Sequence, residues 1–155
     1  AAGLLFRQVP VPQRAFISGA QLGVWSYPAA GWQYGQTDVT LYAQASDSAT
    51  DFGWNQAKAT ARPLTSAGSR WIIDRSWPAD QAGLSVDLAG AIQQVCDRPQ
   101  WKAGNSLALL LMPNGGPVGW RDIVAADWPG DRNGGSKAPV LRITYVPPLF
   151  RPQQP

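Results

Sequence analysis

Every acidic residue in this chain is an aspartate: none of its 155 residues is Glu, and lysine occurs only at Lys58, Lys102 and Lys137. Glu and Lys favour helices, whereas Asp favours caps and turns, where its carboxylate competes for nearby backbone N–H groups. With 16 Gly and 14 Pro in the same chain, this supply of residues predicts strands and loops. The expectation is an all-β domain over residues 1–146, followed by an extended Pro-rich tail over 147–155.

Hydrophobic patterning places the elements. LLFRQVPVP and AFISGAQLGVWS read as two strands joined across Pro10 to Arg14, with Phe16, Ala20, Leu22 and Val24 on the buried side. TDVTLYAQAS alternates Val39, Leu41 and Ala43 against Thr40, Tyr42 and Gln44, which predicts a third strand. A long polar connection runs from Asp47 to Ser69, carrying Phe52 and Trp54, and connections of this length are often functional or docked by their own aromatics. RWIID then reads as a short strand. The one helix signature is SVDLAGAIQQVCDRP, with Leu88, Ile92, Val95 and Cys96 on one face, Ser85 or Asp87 as cap, and a stop at Arg98 before Pro99. NSLALLLMP, WRDIVAAD and PVLRITYV are the remaining strand candidates, separated by the Gly-rich turns that start at Asn114 and Asn133.

Composition also limits the chemistry. Histidine is absent, which removes Ser/His/Asp and Cys/His nucleophilic sites and the commonest transition-metal ligand. Cys96, the sole cysteine, has no partner for an internal disulfide and falls on the apolar helix face, so it reads as a buried small hydrophobe. Asp47 with Asp51, or Asp122 with Asp127, are the carboxylate pairs a glycosidase would need, yet Asp is common in turns. No catalytic residue is assigned, and the chain is expected not to be an enzyme. Asp47, Asp51, Asp127 and Asp131 are the positions that could offer oxygen ligands to calcium, but their spacing does not match an EF-hand loop, so no cofactor is expected. PNGGPVG and DRNGGSK lack the phosphate-cradling pattern and read as turns.

The net charge is +3, with basic residues scattered and without a run of three. Nucleic-acid binders concentrate their charge, so no nucleic-acid partner is expected. No apolar run approaches the length of a spanning helix, so no helical membrane span is expected either. The unusual feature is eight tryptophans. Trp71, Trp101 and Trp120 stand beside strand or helix signals and are the first choices for the core. Trp32, Tyr34, Trp54, Trp77 and Trp128 stand in turn-like segments, where a ring either packs on its own loop or offers a contact surface to a ligand or partner.

Four segments together, FRQVPVPQRAFISGAQL, VTLYAQASDSATDF, SVDLAGAIQQVCDRPQWKAGNSLALLLMPNG and APVLRITYV, resemble the DNRLRE-type carbohydrate-binding-module-like domains and related phage-encoded virion proteins. The resemblance implies a jelly-roll-like antiparallel β-sandwich with one short helix, used for attachment or display. Members often carry a further strand upstream of the FRQVPVP segment; its place here would be left empty or filled by a partner strand. Two functions are therefore expected. The first is a non-catalytic structural protein, such as a capsid decoration protein, on a virion or an extracellular or cell-surface assembly, with protein neighbours and a homo-oligomeric state. The alternative is a carbohydrate-binding module that stacks loop aromatics on polysaccharide.

Overall fold

The computed structural model describes residues 1–27, 35–53, 58–73, 77–78, 80–116, 119, 121–126 and 135–149. Its strands form two antiparallel sheets packed face to face. Sheet A has the order β1 (Ala2–Phe6), β6 (Leu107–Pro113), β3 (Thr37–Gln44), β4 (Leu64–Ile73). Sheet B has the order β5 (Ala82–Leu84), β2 (Phe16–Trp25), β7 (Val140–Val146). The chain crosses between sheets after β1, β2, β4, β5 and β6 and stays within one sheet only for the β3–β4 pair, giving an all-β, jelly-roll-like sandwich with one helix.

The core lies between the sheets. From sheet A it takes Leu41, Ala43, Trp71, Ile73, Leu107 and Leu109; from sheet B, Ile17, Ala20, Leu22 and Val24. The helix α1 (Ala89–Cys96) bridges the sheets on the side of β4, touching β2, β3 and β4 and burying Ala91, Ile92, Val95 and Cys96. Leu88 is also buried, so all four positions picked out by the helical periodicity face the core. Trp101 is buried as well, and its indole N–H donates to the Val11 carbonyl at 2.9 Å.

Several local expectations are corrected. Phe16 is not on the buried side: it is 64% exposed, while Ile17 is buried. A β-bulge between Ile17 and Gly19 inserts one residue into β2 opposite Thr144, so Ile17 shares the inner face with Ala20, Leu22 and Val24 although its parity differs from theirs. The connection expected to reach Ser69 ends at Pro63, since β4 starts at Leu64 and pairs with β3 from there. Residues 121–126 of WRDIVAAD form no strand. They dock by an isolated bridge from Ile123 to Ser26 and a hydrogen bond from the Val124 N–H to the Trp25 carbonyl at 2.9 Å.

Neither expected cap closes the helix N-terminus at its N-cap residue, Leu88, which has no side-chain cap. Ser85 serves β2 instead, and Asp87, one residue before the N-cap, is shared between β2 and the first helical N–H. Ser85 Oγ accepts from the Leu22 N–H at 2.9 Å, and Asp87 Oδ1 accepts from the Ala20 N–H at 2.8 Å and, less closely, from the Ala89 N–H at 3.3 Å. The segment after β5 thus continues along β2, held by these side chains and by backbone bonds from the Ser85 N–H to the Leu22 carbonyl at 2.9 Å and from the Leu88 N–H to the Ala20 carbonyl at 2.8 Å.

β6 reads as a continuous apolar run because both its faces are covered. Leu107 and Leu109 face the core, while Ala108 and Leu110, on the opposite face, are also buried. The described part of the connection between β3 and β4 supplies that cover. Its Phe52 ring occupies the space above Gly3 of β1, its Ala49 N–H donates to the Ser106 carbonyl at 2.8 Å, and its 3-10 turn at Ala59–Ala61 contacts β6.

Candidate functional site

The connection between β3 and β4 is held by arginines. Arg62 is buried, lies with its guanidinium 3.8 Å from the Phe52 ring centroid, and donates to Gln44 Oε1 at 2.8 Å, the Thr50 carbonyl at 2.7 Å and the Asp51 carbonyl. Asp47 receives both arms of Arg98 at 3.2 and 3.3 Å, and its carbonyl accepts from Asn105 Nδ2 at 2.9 Å. Asp51 pairs with Arg7. Both described calcium candidates are therefore engaged by arginine, and among the described residues no three His, Cys, Asp or Glu side chains come together as a metal site. Asp127 and Asp131 lie outside the described residues.

Of the five aromatic contact candidates, Trp32, Tyr34, Trp54 and Trp128 lie outside the described residues. Trp77 is half-buried and packs on the core. Its ring centroid is 5.7 Å from that of Trp71 at an interplanar angle of 51°, and it lies close enough over Gly83 that a Cβ there would come within 2.8 Å of the indole. Of the core candidates, Trp71 and Trp101 are buried, and Trp120 lies outside the described residues. Cys96 is buried, and burial, helped by the neighbouring Asp97, pushes its thiol up to about 12. A thiol held protonated in this way is a poor nucleophile near neutral pH.

The outer faces of the two sheets carry side chains in a pattern that the sequence does not reveal. On the outer face of sheet A, Tyr42 of β3 lies over Gly68 of β4, at a position where any β-carbon would run into the ring. Beside it Arg70 forms a bidentate pair with Asp38, Asn114 Nδ2 donates to Asp38 Oδ1 at 2.7 Å, and Thr40 Oγ1 donates to Asn114 Oδ1 at 2.8 Å. Hydrogen bonds from Arg70 and then Asn114 hold the Asp38 carboxyl down at about 2.

The second surface is the outer face of sheet B. Phe16 (64% exposed), Leu84 (51%), Val140 (49%) and Val146 (56%) all lie on it, with Phe16 opposite Val146, and Gly23 between Val140 and Leu84. The parity of β7 could have signalled Val140 and Val146, since they share a face with Arg142 and Thr144. Phe16 could not have been placed without the bulge.

No known protein family and no curated protein matches the sequence. Among the described residues, no helix is long and apolar enough to cross a membrane.

Proposed function

We propose that this chain is a non-catalytic structural or attachment module, displayed on a virion or another extracellular assembly, that meets its protein neighbours through the outer face of sheet B. The observation that carries this reading is the group of four large apolar side chains exposed on a three-stranded sheet. Phe16 with Val146, and Val140 with Leu84 across Gly23, form two exposed apolar pairs at opposite ends of this face, with Arg142 and Thr144 between them; leaving such surface in water forfeits roughly 25 cal/mol for each Å² that a partner could cover. The absence of histidine and the protonated, buried Cys96 agree with a role that requires no chemistry. Fractionating the native source tests the proposal: the protein should sediment with a particle, filament or surface layer, and a protein found only as a free monomer contradicts it.

A second reading, recognition of a polysaccharide, is favoured by the outer face of sheet A. Tyr42 offers an aromatic ring, and Arg70, Asp38, Asn114 and Thr40 offer donors and acceptors alongside it, the combination that sugar rings and their hydroxyls use. Affinity electrophoresis in a panel of polysaccharide gels would show retardation that Tyr42→Ala removes; no retardation in any gel ends this reading.

A further inference from the structure

We infer that the open edge of sheet B pairs with the same edge of a second copy, β7 against β7 about a two-fold axis at Ile143. The inference rests on the reading of sheet B as an assembly surface and names the partner.

Among the described residues β7 pairs on one side only, with β2. The direction of its backbone groups follows from one hydrogen bond. Ser18 Oγ, on β2, donates to the Thr144 carbonyl at 3.1 Å, so that carbonyl faces β2. Successive residues of an antiparallel strand turn their backbone groups to alternate sides, and the bulge interrupts β2 rather than β7. The N–H and C=O groups of Leu141, Ile143 and Tyr145 therefore point to the open edge.

That edge is also apolar in depth. Leu141, Ile143 and Tyr145 remain only half-buried despite facing inward. With Phe6, Val9 and Val11 they line a groove of about 270 Å³ between β7 and the β1–β2 connection. An isolated edge of this kind is a template for another strand.

The pattern of β7 selects its own copy as that strand. An antiparallel pair must keep inner residues opposite inner residues. Centring the pair on Ile143 uses the whole strand. It sets Val140 against Val146, Leu141 against Tyr145, and Arg142 against the uncharged Thr144, while the outward groups of 141, 143 and 145 all find partners. Moving the centre to Arg142 places two guanidinium groups face to face, and moving it to Thr144 brings Pro147, which has no N–H, opposite Leu141. Ile143 is the centre that avoids both. It also extends the apolar row across the seam, from Phe16 and Val146 of one copy to Val140, Gly23 and Leu84 of the other.

Sedimentation equilibrium of the full chain, combined with a charge exchange across the seam, tests this. The native protein should form a dimer. T144R, at an exposed position, should weaken it roughly tenfold by setting Arg opposite Arg twice, and R142D/T144R should restore it by making both pairs opposite in charge. Amide hydrogen exchange serves as the control for folding: Ile143 and Tyr145 should lose protection in T144R, while the amides at positions 142 and 144, which face β2, keep theirs. A native chain that is monomeric at its highest soluble concentration overturns the inference, as does a dimer indifferent to the exchange. A monomer that still sediments with a native particle removes this pairing and leaves the attachment reading standing.

Discussion

The Arg62 guanidinium stacks on the Phe52 ring at 3.8 Å, and Phe52 in turn occupies the space above Gly3 of β1. One arginine, far along the chain from that glycine, thereby ties the β3–β4 connection to the outer face of sheet A. The same guanidinium satisfies Gln44 and two carbonyls of the connection. Truncation leaves these acceptors short of a donor and the ring without its cation. We expect Arg62→Ala to destabilise the fold by about 2–4 kcal/mol, measured by urea denaturation. Arg62→Lys should recover little of it, because an ammonium cannot reproduce the planar fork. A loss below about 0.5 kcal/mol would place Arg62 among ordinary surface residues.

Gly68 and Gly19 make a matched pair of tests. A Cβ at Gly68 runs into the Tyr42 ring, whereas one at Gly19 meets nothing within 4 Å. Gly68→Ala should cost about 1–3 kcal/mol as Tyr42 is displaced, and Gly19→Ala should stay within about 0.5 kcal/mol of the parent. Thermal melts of the two variants decide it. Equal losses would mean that Tyr42 is free to move away, which would also weaken its use as a sugar platform.

Acid stability should depend on Asp38. Its carboxyl is held down at about 2, chiefly by Arg70 and then Asn114, against an ordinary value of 3.8. A lowered folded-state value means stabilisation that is present above the ordinary value and is lost as pH falls through the lowered one. Between pH 4 and pH 2 the native melting temperature should therefore fall more steeply than that of Asp38→Asn, which has no proton to take up there. Parallel curves would mean that Arg70 does not hold Asp38 in solution.

Cys96 should be silent until the protein unfolds. With the thiol buried and pushed up to about 12, a thiol reagent at pH 8 should label the native chain no faster than global unfolding exposes it, and denaturant should make labelling immediate. Above pH 9 the unfolded thiol ionises while the folded one stays protonated, so stability should decline as pH rises there. Fast labelling of the native state would contradict the burial described for α1.

The sequence makes elements legible where one pattern dominates. The apolar spacing of Leu88, Ile92, Val95 and Cys96 marks α1, and alternation marks β3, because each has one face in the core. The outer-face site was less legible for a geometric reason. A bulge reverses parity without a sequence signature of its own, so Phe16 passes for a core residue. β5 is three residues long and is completed by Ser85 and Asp87 side chains, below the length at which alternation can be read. Residues 121–126 carry the apolar content of a strand but use it to anchor a loop through the buried Val124. Trp77 sits in a turn-like segment yet packs on Trp71, a contact between residues whose local sequence gives no sign of it.

The proposed role of sheet B in joining this chain to its neighbours can be followed through incorporation into the native assembly. Native chain and a Phe16→Ser, Val146→Ser double variant, both exposed-site changes, would be expressed in the source and separated by density-gradient sedimentation. The native chain should appear in the fast-sedimenting fraction and the folded variant should stay at the top of the gradient. Native and variant chains distributed identically, at either position, would contradict that role.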